Sequence, residues 1–190
     1  MKASVICVSH TDGAGGDAVG RRVAELLGFR FADESIVVAA ANDRGLYPES
    51  VAQAERQGAG RSLEVDFGRF ERTEALREVI RAAIGRAADG GDVVIASHAA
   101  SFALAGRPEV LRVLVTASLD TRAARIASAE QVDVRRALKE LAGSDKGRTV
   151  YLRRFYGVKA EKPTHYDLVV STDRLTTDEA AGIVVAAAGA

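Results

Sequence analysis

An α/β fold of three layers, a five-stranded parallel sheet with helices on both faces, is what the sequence predicts. Two observations carry it. Short apolar runs rich in β-branched residues, such as Ser4-Val5-Ile6-Cys7-Val8-Ser9 and Val93-Val94-Ile95-Ala96, read as strands covered on both faces. Between them lie longer amphipathic stretches, and strands separated by helices imply parallel pairing. A third feature is the turn after the first strand, Asp12-Gly13-Ala14-Gly15-Gly16, where small residues permit positive φ and close approach of a ligand.

From Asp17 the pattern turns helical. Val19, Val23, Leu26 and Leu27 fall on one stripe, and Gly28 supplies the stop. Phe29-Arg30-Phe31 reads as a short second strand ending at Asp33, followed by helices over 35–44 and 48–57. Residues 57–70 hold scattered charge and glycine and read as a loop or excursion. Thr73 to Asp89 forms an amphipathic helix with Leu76, Val79, Ile80, Ala83 and Ile84 on one face. The third strand follows at Asp92 to Ala96, and the fourth at Leu111 to Thr116. Three helices are expected next, over 121–129, 134–141 and 147–156. Tyr166 to Ser171 is the last strand, and Thr176-Thr177-Asp178-Glu179 opens the closing helix with a capping box.

At 190 residues, 47% of them apolar and 27% charged, the chain fits one domain spanning 1–190. The 26 basic and 26 acidic residues cancel, so the electrostatic footprint of a nucleic-acid binder is missing. No long apolar run or leader-like segment stands out, which gives a cytoplasmic expectation with no membrane partner. Cys7 is alone inside a predicted strand and reads as inert core. The three histidines show no metal spacing, and no metal site is expected; His165 reads as structural.

Strand, glycine turn and helix together form the layout of a phosphate-binding loop, with leading helix amides and the positive end of the dipole facing an anion. Gly13, Ala14, Gly15, Gly16 and Asp17 are the candidates. The spelling departs from G-x-x-x-x-G-K-[ST]. With Gly15 at the second glycine, His10 stands at the first, Gly16 at the lysine and Asp17 at the hydroxyl. A tight turn with Asp17 merely capping the helix stays open as the alternative. A second cluster follows the fourth strand, where open α/β sheets bind ligands. It contains Arg122, Arg125, Arg135, Arg136, Lys146, Arg148, Arg153 and Arg154. These either close over polyphosphate or form a solvated hairpin paired with Asp120, Glu130, Glu140 and Asp145.

Several segments jointly resemble one family. The run Leu114 to Ile126 is similar to the fourth strand and lid entrance of bacterial cytidylate kinases, and Tyr166 to Thr176 to their last strand and helix start. Gly13-Ala14-Gly15-Gly16, Leu26-Leu27-Gly28-Phe29, Asp33 and Asp145-Lys146-Gly147-Arg148 with Tyr151 and Phe155-Tyr156-Gly157 resemble the cytidylate-kinase-like family. That resemblance implies a P-loop nucleoside monophosphate kinase fold with an excursion at 45–70 and a lid at 122–156. It implies phosphate binding by Gly13 to Asp17, catalytic arginines at Arg122, Arg125 and Arg148, and substrate contacts at Asp33 and His98. ATP and Mg²⁺ are the implied cofactors and a nucleotide or phosphorylated small molecule the implied partner, with a homo-oligomer as a further expectation. The lysine of the loop is absent, and Ser97-His98-Ala99 stands where cytidylate kinases carry Gly-Arg-Asp. Nucleotide binding without efficient cytidylate phosphorylation is therefore expected, with Gly16→Lys raising transfer. A catalytically inactive ligand-binding or interaction module is the alternative, and a kinase for a non-nucleotide acceptor the third reading.

Overall fold

The structure is a computed structural model that describes residues 2–33, 35–36, 39, 70–97 and 100–189. The helix expected over 35–44 lies mostly outside these residues. The helix at 48–57, the excursion at 45–70 (save Phe70) and His98 also lie outside them.

Five strands form one sheet: β1 (Val5–His10), β2 (Arg30–Ala32), β3 (Val93–Ala96), β4 (Val110–Thr116) and β5 (Leu168–Ser171). Their order is β2-β3-β1-β4-β5, and every pairing is parallel. Val5 pairs with Val93 on one side and Val110 on the other, so β1 is central. The helices are α1 (Gly16–Leu27), α2 (Phe70–Asp89), α3 (Ala100–Ala103), α4 (Leu119–Glu130), α5 (Val134–Tyr156) and α6 (Thr177–Ala187).

Alternation along β1 splits the core into two. Val5 and Cys7 face a cluster built with Val79, Ile80 and Ile84 of α2 and Leu152 and Phe155 of α5. Ile6 and Val8 face the other side, with Val19 and Val23 of α1 and Ala180, Ala181 and Val184 of α6. Successive strand side chains point to opposite faces, and helices cover both, so the whole strand is apolar. Each such fully buried side chain is worth roughly 1.5–3 kcal/mol. Cys7 is fully buried, and burial pushes its thiol up to about 12, as an inert core residue requires.

Four elements differ from the sequence reading. In α1 the buried face is Gly16, Val19, Gly20, Val23 and Ala24, while Leu26 is 47% exposed. Gly20 sets this rotation: a Cβ there would meet the Phe31 ring at 3.2 Å, so the helix sits close to the sheet on its small-residue side. The two helices expected at 134–141 and 147–156 are one continuous helix, α5. Its buried residues, Ala137, Leu141, Ser144, Arg148, Tyr151, Leu152 and Phe155, recur at helical spacing straight through Gly143 and Gly147. A glycine inside a helix costs about 1 kcal/mol, which this packing outweighs. Finally, α3 and a 3₁₀ turn at Pro163–His165 were not read from the sequence. His165 Nδ1 accepts from the Lys162 amide at 3.2 Å, a structural role as expected.

Among the described residues, no helix is long and apolar enough to cross a membrane.

Candidate functional site

The carboxyl ends of β1, β4 and β5 converge on the glycine turn. Gly13 and Gly15 both adopt positive φ, 76° and 79°, which turns the chain from β1 into α1 with Gly15 as the cap residue. A Cβ on Gly13 would also lie 2.9 Å from the Arg122 carbonyl oxygen, so the turn fits against α4 only as glycine. Ala14 is fully buried. The Thr172 hydroxyl just after β5 donates to the Ala14 carbonyl at 2.8 Å, and the Ala14 amide donates to the Thr11 carbonyl at 3.0 Å. The carbonyl side of the turn is held in this way, and the leading amides of α1, which have no acceptor within the helix, belong to its first turn.

Those amides border a cavity of about 490 Å³. Gly13, Gly15, Gly16 and Asp17 form its floor, Arg125, Ile126 and Glu130 of α4 one wall, and Glu140, Leu141 and Ser144 of α5 another. His10, at the end of β1, and Asp12 complete it. A small apolar cluster of Ala123, Ala137 and Leu141 holds α4 against α5. Thus all the expected phosphate-binding positions except buried Ala14 line one cavity, under the arginine-bearing helices.

The three expected catalytic arginines sit in three different settings. Arg122 is buried and donates through Nε to the Asp12 carbonyl at 2.6 Å and through both terminal nitrogens to Asp145, at 2.6 and 3.0 Å. Ser144 donates to the Asp12 carboxylate in a short hydrogen bond. Arg125 is exposed, lines the cavity, and reaches the Gly13 carbonyl at 3.3 Å as well as the Thr172 hydroxyl at 2.9 Å and carbonyl at 2.7 Å. Arg148 is buried in a forked pair with Glu161, at 2.6 and 2.8 Å, and donates to the His10 carbonyl at 3.1 Å. All three arginines therefore grip the backbone that carries the loop. The pairing of Arg122 with Asp145 agrees with the hairpin alternative, but burial does not, since a solvated pair would stay exposed.

Around Arg148 the electrostatics are those of a desolvated network. Burial raises the Glu161 carboxyl, but the Arg148 guanidinium and the Tyr166 hydroxyl more than reverse this and hold it below the usual carboxylate range. Burial likewise pushes the Tyr166 phenol up, and the Glu161 charge adds to it. Tyr166 donates to Glu161 in a short hydrogen bond.

Asp33 stands at the carboxyl end of β2, away from the residues lining the cavity, and accepts from the Ser35 amide at 3.0 Å and from Arg21 at 3.2 Å. Ser35 is the main reason its carboxyl lies below the usual range. Glu161, Thr172, Asp145 and Ser144 were missed as site residues, because each acts through a partner far along the chain. His10 was visible only as a mismatch at the loop's first glycine position.

His10 alters one expectation directly. A Cβ on Gly16 would fall 2.2 Å from His10 Cβ, 2.4 Å from Cγ and 2.7 Å from Cδ2. A lysine at 16 cannot be added while His10 keeps its place, so Gly16→Lys is not a simple restoration of the loop.

The profile of the Cytidylate kinase-like family matches residues 5–174. A cytidylate kinase of Methanopyrus kandleri is 28% identical over 192 residues, covering 96% of this chain and 92% of its own. One of Ignicoccus hospitalis is 30% identical over 171 residues, covering 89% and 90%. Among solved structures, an uncharacterized protein from Eubacterium ventriosum superposes with a TM-score of 0.72 at 18% identity, covering 98% of both chains. The shikimate kinase of Bacteroides thetaiotaomicron gives 0.60 at 17%, again covering 98% of both chains, and so shares the fold. The chain belongs to the cytidylate kinase-like family, as a nucleotide kinase-like P-loop protein.

Proposed function

We propose that this protein binds a nucleoside triphosphate by its phosphates in the cavity above Gly13–Asp17 and transfers the terminal phosphoryl group slowly to a cytidylate-like acceptor. The observation that carries the reading is the cavity, whose floor is the positive end of α1 and whose walls are α4 and α5. Loop amides hold the phosphate oxygens, and the α1 dipole favours their charge. Arg122 and Arg125 fix the loop through the Asp12 and Gly13 carbonyls. Ile126 and Leu141 line the cavity and exclude water, which strengthens each remaining polar contact. In this reading α4 and α5 act as the lid, and Asp33 borders the acceptor.

Mg²⁺, as the triphosphate complex, supplies charge neutralisation when bound. Among the described residues no group of three or more His, Cys, Asp or Glu side chains could hold a metal. Asp12 or Asp17, which line the cavity, would hold the ion together with the triphosphate, since Mg²⁺ needs only one or two carboxylates beside phosphate.

Slow transfer follows from Gly16. A lysine there would place charge on the β/γ-phosphates as the transition state forms, and losing one such stabiliser costs about 10²–10³ in rate. The same glycine favours a second reading, a ligand-binding module without transfer, because nothing can be placed at 16 beside His10.

A coupled assay with ATP, Mg²⁺ and cytidylate, run beside calorimetry with ATP, tests the proposal. Micromolar ATP affinity with slow turnover supports it, and ATP affinity with no transfer favours the second reading. Absence of ATP binding overturns both.

A further inference from the structure

We infer that His10 is a phosphate-contacting residue of this loop, supplying from the end of β1 the positive charge that Gly16 cannot supply from the start of α1. The inference rests on the nucleotide reading above and names a residue that the spelling of the loop shows only as a mismatch at its first glycine.

Three observations converge on it. The His10 side chain abuts Gly16, with Cβ, Cγ and Cδ2 all within 2.7 Å of where a residue-16 Cβ would be. The imidazole thus fills the volume through which a side chain at 16 would leave the helix. His10 also lines the same cavity as Gly13, Gly15 and Asp17. Its Nε2 stands 3.3 Å from Asp17 Oδ1, and only 13% of its side chain is exposed. Its own backbone is pinned, since the Arg148 guanidinium donates to the His10 carbonyl at 3.1 Å.

The charged groups around the ring are mostly acidic. Asp17 is in contact, and Asp12, Glu130 and Glu140 line the cavity with one arginine among the described lining residues, Arg125; Arg148 approaches from α5 on the backbone side. A neighbouring carboxylate favours imidazolium, and histidine titrates near neutrality without help. Asp17 is 63% exposed, so it is screened by water and can yield the imidazolium to an arriving phosphate. A histidine in this place makes the anion affinity pH-dependent, which a lysine at 16 would not.

The test is calorimetric titration of wild type and His10→Gln with ATP and with tripolyphosphate between pH 6 and pH 8.5. His10→Gln carries the phosphate's own titration as its control. At pH 6 the wild type is expected to bind both ligands about 10- to 100-fold more tightly than the variant, the scale of a hydrogen bond to a charged group. The gap closes by pH 8.5, and Asp17→Asn moves that closure to lower pH. With three histidines in the chain, the His10 ring resonance is separable, and saturating tripolyphosphate should raise its titration midpoint. This readout serves even where the variant does not fold. ATP binding with coincident wild-type and variant profiles, or an unmoved His10 resonance, overturns the inference and leaves the nucleotide reading intact. Absence of binding to either ligand in wild type overturns both.

Discussion

Arg148 and Glu161 form a two-pronged ion pair, 2.6 and 2.8 Å long, with both side chains largely withdrawn from water. The pair ties α5 to the segment before β5, and Nη1 of Arg148 reaches the end of β1 at the His10 carbonyl. Three parts of the chain that flank the glycine turn are thereby fixed by one guanidinium.

Sequence alone suggests that Arg148→Ala weakens polyphosphate binding more than stability. The buried pairing reverses the order. Removing one partner leaves Glu161 buried with its charge uncompensated, at a cost of about 3–5 kcal/mol. Urea unfolding should show that loss in Arg148→Ala. Arg148→Met with Glu161→Gln, which keeps an acceptor for Tyr166, should recover much of it. A single variant as stable as wild type would mean the pair is solvated.

Gly16 gives the second expectation. Even a methyl group there meets His10 Cβ and Cγ rather than the tip of a flexible side chain. Overpacking of this kind typically costs about 1–3 kcal/mol, so Gly16→Ala should melt lower than wild type. Gly16→Lys should behave similarly and gain no transfer activity. In a His10→Gly background, which removes the Cβ as well as the ring, the crowding is relieved, and Gly16→Lys should then be tolerated. Thermal melts of the single and double variants decide this.

The third concerns acid. Asp33, Glu161, Asp167, Asp173 and Glu179 all have carboxyls held below their ordinary values of 3.8 for Asp and 4.5 for Glu. For Asp167 the main cause is the Arg112 side chain, which donates at 2.6 and 3.0 Å. A carboxyl whose folded value is depressed contributes stability that is fully present above its unfolded value. That contribution is lost as pH falls through the folded value. Urea midpoints should therefore hold from neutrality to about pH 5 as far as these groups are concerned, and fall below about pH 4.5. Asp167→Asn should flatten part of that fall.

The amino-acid sequence by itself determined the sheet, the glycine turn and most helices. These rest on local periodicity: Val5 to Val8 are apolar throughout because both faces are covered, and Thr176 with Glu179 closes a capping box within one turn. It also placed Gly13, Gly15, Gly16 and Asp17 at one turn, which lines the cavity, since the turn is contiguous. Tertiary structure decided what no local pattern encodes. Gly143 and Gly147 lie inside one helix because the buried face of α5 runs through them. The arginines of α4 and α5 became supports for the loop because their acceptors, Asp12, Gly13, Thr172 and Glu161, come from other elements. The meeting of His10 with Gly16 depends on how tightly the turn folds back on the strand, and six positions of sequence separation do not reveal it. Hydrogen bonds and steric exclusion act at a few ångströms in space, whatever the distance along the chain.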